Sequence, residues 1–253
     1  MDYMLLVDTA VLAGEIMLES GAETYRVEDT ISHFLKKANL KHAQVFVITT
    51  GIIATLSDPA IEAITVVRRI NRRSTNLNKI FRANEVSRKF YEEEMGLQEA
   101  FHELKKIREE KIYSPFAKNV GIVFTSAFFT LLLGGSFLDC ILSALGGVIL
   151  AVGLSLGRKI GFQGFLLDGL NSCIVVISVL LFVKAVPFAL NRDLIIIGGI
   201  MPMVPGVAIT NAIRDTLQGD YVSGSARVME ACMEAAAIAF GACVGMALLR
   251  GLI

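Results

Sequence analysis

The chain has 253 residues, 54% of them hydrophobic, and its 24 Lys and Arg balance its 24 Asp and Glu to a formal net charge of +0. The mean hydropathy of +0.60 is unlike that of a typical soluble protein, and no basic stripe indicates a nucleic-acid partner. The four Cys show no CxxC spacing and the three His no ligand spacing, so we expect no metal and no cofactor.

Residues 1–114 contain no apolar stretch long enough to cross a bilayer and predict a soluble domain. No signal-peptide layout precedes this domain, so we expect it to remain in the cytoplasm. Hydrophobic periodicity and β-branched runs predict its elements. In chain order these are helices at about 1–18 and 24–38, strands at 44–49, 52–56 and 63–67, and helices at 77–94 and 97–111. We predict an α/β domain, with α+β as the alternative.

Pro115 marks the boundary to residues 115–253, which hold about five apolar stretches near the roughly 20 residues that cross a bilayer. The predicted spans are about 117–134, 137–156, 167–186, 194–210 and 226–249. The sequence therefore predicts an α-helical integral membrane protein in the lipid bilayer, with one discontinuous span.

Basic residues predict the orientation of these spans. With the N-terminus at Met1 in the cytoplasm, most basic residues of the connections lie inside; they are Lys105, Lys106, Arg108, Lys111, Lys118, Arg158, Lys159, Arg214 and Arg227. Only Lys184, Arg192 and Arg250 lie outside. The positive-inside rule thus favours a cytoplasmic N-terminus and a C-terminus, at Ile253, outside the cell.

The fourth stretch is interrupted by Pro202, Pro205 and Gly206. Proline removes a backbone donor and clashes with the preceding turn, so a continuous helix is not expected. Broken helices in membranes line cavities and present half-helix ends to substrates, which makes these residues candidates for a substrate pathway. The alternative is a kinked helix that packs on a neighbour.

Polar residues follow this stretch at 211–224, where Asn211, Arg214 and Asp215 are further candidates for the pathway. The alternative is a solvated loop. In the fifth stretch, Glu230 and Glu234 lie one helical turn apart, and an ionisable group at membrane depth is a candidate for carrying protons. Glu234 is the deeper of the two, whereas Glu230 lies near the cytoplasmic end.

In the soluble domain, residues 19–28 predict a helix break followed by a helix start with acids in its first turn. Thr50 and Gly51 punctuate two strands. The sequence has no GxSxG, HExxH or P-loop, so no catalytic residue is predicted. An enzyme or sensor that acts through this domain, with the spans as an anchor, is the competing class of function. A scaffold that supports a partner and carries no substrate is a third.

The runs LESGAETYRVEDTI (18–31), VFVITTGI (45–52) and MPMVPGVAITNAIRDTLQGDYVSGSARVMEA (201–231) together closely resemble the bacterial threonine/serine exporter family. The resemblance extends to the end of the fifth span. The motif positions that it carries over are Gly21, Ala22, Glu23, Thr24, Arg26, Glu28, Thr50, Gly51, Pro202, Pro205, Gly206, Asn211, Arg214, Asp215, Gly219, Asp220, Tyr221, Ser223, Gly224, Arg227 and Glu230.

The resemblance implies an inner-membrane secondary exporter of small polar substrates. Fused members of the family have about ten spans, whereas split members divide them between a longer subunit and a shorter, all-membrane partner. With five spans, this chain resembles the longer split subunit, so we expect a smaller partner subunit and an oligomer. Some split members are implicated in exporting a dicarboxylate such as succinate, which is the alternative substrate.

Overall fold

A computed structural model of the protein describes residues 2–71, 73–110, 113–162 and 164–250. Met1, Lys111 and Ile253, which mark segment ends and orientation in the sequence interpretation, lie outside the described residues. The chain forms two compact units, Met1–Glu110 with Val207–Met229, and Lys111–Gly206 with Glu230–Ile253. This grouping assigns Val207–Met229 to the first unit, so it differs from the predicted domains 1–114 and 115–253, which stay a prediction.

The first unit contains the seven predicted N-terminal elements. They are α1 (Tyr3–Glu19), α2 (Thr24–Lys36), β1 (His42–Ile48), β2 (Gly51–Asp58), β3 (Ile61–Arg69), α3 (Leu77–Tyr91) and α4 (Leu97–Glu109). The sheet is an antiparallel meander in the order β1-β2-β3. Only two residues separate each pair of strands, too few for the helical crossover that a parallel sheet needs. The unit is therefore of the α+β kind, and the preferred α/β prediction is wrong.

The core of the first unit forms around α1, whose residues between Leu6 and Leu18 are buried, except Asp8. Helix α2 has an amphipathic pattern that buries Val27, Ile31 and Phe34, and Phe34 stacks on Phe90 of α3 at 5.0 Å between ring centroids. Burial of these side chains fixes α1 and α2 against the sheet and α3 against both helices, and so positions the α1–α2 junction.

The helices of the second unit are α5 (Pro115–Leu132), α6 (Phe137–Ile160), α7 (Phe165–Ala185) and α8 (Arg192–Ile200). After a 3-10 turn at Met201–Met203 follow α9 (Gly206–Leu217) and α10 (Tyr221–Leu248), which extends from the first unit into the second. Among the described residues, α5, α6, α7 and α10 are long and apolar enough to cross a membrane, and α8 with α9 makes a fifth span if that bent pair is one span.

The predicted interruption of the fourth stretch is present. Helix α8 ends at Ile200, Val204 has an extended backbone with ψ 126°, and α9 begins at Gly206. Pro205 favours this conformation because its ring disfavours the helical backbone for the residue before it. Beyond the break, however, α9 continues to Leu217, and α10 starts at Tyr221. The interpretation of residues 211–224 as a solvated loop is therefore wrong.

Close helix contacts hold the second unit together. Leu150, Val175, Val179 and Ile195 form its apolar core, and the Ser172 hydroxyl on α7 donates a hydrogen bond of 2.8 Å to the Ile238 carbonyl on α10. A Cβ at Gly241 would collide with the backbone of α7, so only glycine permits this approach of the two helices.

Candidate functional site

A tight reversal of the chain separates α1 from α2. Helix α1 ends at Glu19, Ser20 caps it, and Gly21 has φ +85°, a conformation that L side chains rarely adopt. Glu23 occupies the N-cap position of α2 with an extended backbone, and Thr24 is the first helical residue. The motif GAET thus forms the α1–α2 junction.

A second tight turn joins α9 to α10, with Gly219 at φ +92°. Asn211, Arg214 and Asp215 lie on one face of α9, because residues three and four apart are neighbours on a helix surface. A Cβ at Gly224 would collide with the Thr216 side chain and lie 3.2 Å from the Ala212 carbonyl. Glycine at this position lets α10 pack directly on α9 and brings Arg227 beside Asp215.

The α1–α2 junction and the α9–α10 pair meet in a buried polar cluster. We call it the junction cluster; its members are Glu23, Thr24, Asn211, Arg214, Asp215, Asp220 and Arg227. Asp215 Oδ1 accepts a hydrogen bond of 3.0 Å from the Thr24 backbone amide. The Thr24 hydroxyl lies 3.0 Å from the same oxygen and 2.9 Å from Asp220 Oδ2, so two carboxylates share its single proton.

Asn211 and Arg227 complete the junction cluster by satisfying backbone carbonyls. The Asn211 amide donates 2.7 Å to the Gly21 carbonyl, and the Arg227 guanidinium donates 2.6 Å to the Ala22 carbonyl. Arg227 Nε also lies 2.9 Å from Asp215 Oδ2. The side chains of this ion pair are 5% and 0% exposed, so each charge compensates the other where water cannot.

Glu23 links the buried cluster to the surface. Its carboxylate accepts a 2.5 Å hydrogen bond from Arg214, and Arg26 lies 3.4 Å from its other oxygen. Burial by itself would raise the pKa of Glu23, but the hydrogen bonds from its own backbone and from Arg214, with the charges of both arginines, outweigh it. The net pKa is lowered, so Glu23 is ionised in the folded protein at neutral pH.

Glu28 connects α2 to the sheet, because its Oε1 accepts a 2.9 Å hydrogen bond from the Val47 amide. Burial raises the pKa of Glu28, the Val47 hydrogen bond lowers it, and the negative charge of Asp220 raises it further; the net direction is upward. The pKa values of Glu28 on α2 and of Glu23 at its N-cap are therefore shifted in opposite directions.

The structure brings together many of the predicted site residues. Asn211, Arg214 and Asp215 contact Gly21, Glu23 and Thr24, so two separate motifs of the sequence form one cluster. The others lie elsewhere: Pro202, Pro205 and Gly206 at the break before α9, Glu230 and Glu234 half-buried on α10, and Thr50 and Gly51 at the β1–β2 turn. The assigned roles of all these residues stay predictions.

The sequence interpretation gave neither Asp220 nor Arg227 a role in a site: Asp220 was named only as a motif position of the family, and Arg227 as a motif position and a basic residue of a connection. The available signal was the position of these charged residues beside an apolar stretch, because ionisable residues in such segments usually pair with one another. No group of His, Cys, Asp and Glu in the described part of the chain could hold a metal ion. The junction cluster contains two ion pairs, Arg227 with Asp215 and Arg214 with Glu23, an arrangement suited to fixing α9 and α10 to the α1–α2 junction.

The sequence is similar to known proteins over nearly its whole length. Residues 8–249 match the family described as "Putative threonine/serine exporter". The chain is similar to the "Probable threonine/serine exporter" of Mycobacterium tuberculosis (strain ATCC 25618 / H37Rv), with 23% identity over 247 residues. That match covers 95% of this chain and 46% of the relative, so the chain spans about half the length of the curated relative that it matches. No solved structure matches the chain. The chain belongs to the threonine/serine exporter family.

Proposed function

We propose that this protein is one component of an ion-gradient-driven exporter of small polar metabolites, of the threonine/serine class, in the bacterial inner membrane. Membership of an exporter family and four to five candidate membrane spans support this function. The N-terminus of the proposed transporter is cytoplasmic and its C-terminus is outside, as the distribution of basic residues favours.

The observation that carries the proposal is the interrupted helix whose second half takes part in the junction cluster. Helix α9 starts directly after the break at Pro205, and its Asn211 and Asp215 hold the α1–α2 junction through buried hydrogen bonds. Half-helices held at a break present fixed dipoles to a substrate, a device that transporters use. A membrane anchor for an enzyme needs neither the break nor the buried cluster.

We propose further that the transport path needs a second, all-membrane component. This chain aligns with 46% of its relative, and the proposed component corresponds to the remainder of that longer protein. In this arrangement a smaller partner subunit supplies additional spans, and the two form an oligomer. Purification of the tagged chain from membranes tests the proposed partnership, because the smaller partner subunit should be recovered with it. Recovery of the tagged chain alone contradicts the partnership.

The proposed energy source is an ion gradient, because the sequence contains no nucleotide-binding signature to power a primary pump. Glu234 and Glu230 on α10 are the proposed proton carriers. An ionisable group at membrane depth is costly, and such groups mark the paths of protons and ions in transporters.

Efflux from cells tests the proposed function. The rate of efflux of labelled serine, threonine or succinate is measured from loaded cells that either contain or lack this chain and its proposed partner. We expect faster efflux of serine and threonine when both components are present. Faster efflux of succinate alone identifies a dicarboxylate exporter. Unchanged efflux of all three compounds contradicts the proposal.

A further inference from the structure

A charged cleft lies within the first unit, away from the residues of the junction cluster. Asp8, Leu12 and Glu15 on α1 recur at helical spacing, as do Phe101, Lys105 and Arg108 on α4, so each set faces the same side of its helix. With Arg68 near the end of β3 and Glu109, these side chains line a cleft of about 740 Å³. That volume is within the range of about 300–1,000 Å³ that small-molecule sites occupy.

Glu15 is the buried centre of the cleft, with only 8% of the residue exposed. Each of its carboxylate oxygens faces one arginine: Arg108 donates 3.1 Å to Oε2, and Arg68 Nε lies 3.5 Å from Oε1. A buried carboxylate is costly unless it is paired, so Glu15 holds both guanidinium groups beside the cleft.

The two arginines retain capacity for a ligand. Their side chains are 45% and 46% exposed, and their remaining ion pairs are long, at 3.4 Å from Arg68 to Asp8 and 3.6 Å from Arg108 to Glu19. A guanidinium group has five N–H donors in a planar fork that matches a carboxylate. Two such groups, fixed by one glutamate and open to solvent, are suited to binding a carboxylate.

The charges that line the cleft favour a ligand without net charge. The cations are Arg68, Lys105 and Arg108, and the anions are Asp8, Glu15 and Glu109. Leu12 and the ring of Phe101 add an apolar wall, and Lys105 Nζ lies 4.6 Å from the centroid of that ring. Complementarity of charge therefore selects a zwitterion over a dianion.

We propose that this cleft binds a free α-amino acid, with its carboxylate at Arg68 and Arg108 and its ammonium group at the acidic rim formed by Asp8 and Glu109. The site is built from α1, β3 and α4 alone, so it does not depend on the transport path. It gives the N-terminal elements of the first unit, α1 to α4 with the sheet, a role that the proposed export function does not, namely recognition of an amino acid by the predicted soluble domain.

Equilibrium dialysis of the purified full chain in detergent, with labelled L-serine as the probe, tests the proposal. We expect the Arg68→Gln and Arg108→Gln variants to bind serine at least about tenfold more weakly, because each loses a charged donor to the carboxylate. Arg69→Gln, a change to the exposed neighbour on the same strand, is the matched control and should bind like the unchanged protein.

A double variant, Glu15→Gln with Arg108→Gln, keeps the test valid if a single change unfolds the protein, because it removes the buried charge together with its partner. It should remain folded and bind weakly. Competition defines the ligand class: unlabelled threonine should displace serine, whereas succinate and ethanolamine, which each lack one of the two charges, should not.

Equal binding by the unchanged protein and the Arg68→Gln and Arg108→Gln variants overturns the proposal and leaves an ion-pair network only. Absence of serine binding by the unchanged protein also overturns it, and so does displacement by succinate or ethanolamine as effective as that by threonine. Efflux separates this inference from the export function. Cells that export serine while the purified chain shows no binding in the cleft contradict the inference alone.

Discussion

Asp215 and Thr24 are 191 positions apart in the chain, yet one carboxylate oxygen of Asp215 accepts from both the backbone amide and the hydroxyl of Thr24, each at 3.0 Å. Thr24 starts α2, and its amide is one of the first-turn N–H groups that find no partner within a helix. Asp215 thus acts as the cap of a helix that is remote in sequence, while its other oxygen pairs with Arg227.

The stability of the first unit is expected to depend on this carboxylate. Asp215→Asn removes the charge that compensates buried Arg227, so we expect the free energy of unfolding to fall by about 3 kcal/mol or more. Chemical unfolding of the purified protein in a mild detergent measures the change. Asp193→Asn is the matched control, because its ion pair with Arg192 is exposed and should contribute at most about 1 kcal/mol. Equal losses in the two variants contradict a buried role for Asp215.

Glu23 is expected to make stability dependent on pH in the acidic range. Its pKa is lowered from the ordinary value of 4.5 in the folded protein, so the unfolded state binds its proton more readily. Glu23 therefore contributes stability above pH 4.5, and that contribution is lost as the pH falls through the folded pKa. The difference in unfolding free energy between the unchanged protein and Glu23→Gln should be constant near neutral pH and shrink below pH 4.5. A difference that is the same at every pH excludes this linkage.

The break between α8 and α9 is expected to be needed for transport. Pro202→Ala together with Pro205→Ala restores two backbone donors and permits a continuous helix, so efflux should stop although the protein still accumulates in the membrane. Pro187→Ala changes a proline outside the helices and should leave efflux intact. Normal efflux by a well-expressed double variant would show that the prolines serve packing only.

The orientation of the predicted spans is expected to place the connections that are rich in basic residues in the cytoplasm. In a variant without the four native cysteines, Phe188→Cys lies in the connection after α7 and should react with a membrane-impermeant thiol reagent applied to intact cells. Phe162→Cys follows Arg158 and Lys159 and should react only after the cells are permeabilised. The reverse pattern of labelling contradicts the cytoplasmic position of the N-terminus.

Much of the local structure could be predicted from the sequence, because each element has its own periodicity. The helical spacing of Val27, Ile31 and Phe34 predicts α2, and Pro202 with Pro205 predicts the break before α9. The antiparallel pairing could also have been predicted, because the gaps between the predicted strands at 44–49, 52–56 and 63–67 are too short for a helical crossover.

The contacts of the junction cluster could not be predicted, because they join segments about 190 residues apart. Local patterns made Asn211, Arg214 and Asp215 candidates for a substrate pathway or for a solvated loop, and no local rule pairs them with the α1–α2 junction. The resemblance to the family identified both motifs but gave no contacts between their residues. Tertiary packing, here α10 approaching α9 at Gly224, determines that Asn211 and Asp215 are buried.

Coupling to an ion gradient is expected to depend on α10. Glu234→Gln preserves shape and most hydrogen bonding but removes titration, so it should abolish accumulation against a gradient and still allow slow downhill exchange. If the deeper glutamate, Glu234, carries the proton, Glu230→Gln should reduce accumulation less than Glu234→Gln does. If Glu230 is the carrier, Glu230→Gln should have the larger effect. Undiminished pumping by both variants would assign coupling to residues elsewhere, such as those of the partner.

The central claim, that this protein exports small polar metabolites with a second membrane component, is tested most directly in proteoliposomes that contain both purified components. With labelled serine on the side that corresponds to the cytoplasm and an imposed proton gradient, we predict accumulation of serine on the opposite side above its starting concentration. Collapse of the gradient, or omission of either component, should abolish that accumulation. Equal serine movement with and without the chain, under a maintained gradient, would contradict the account.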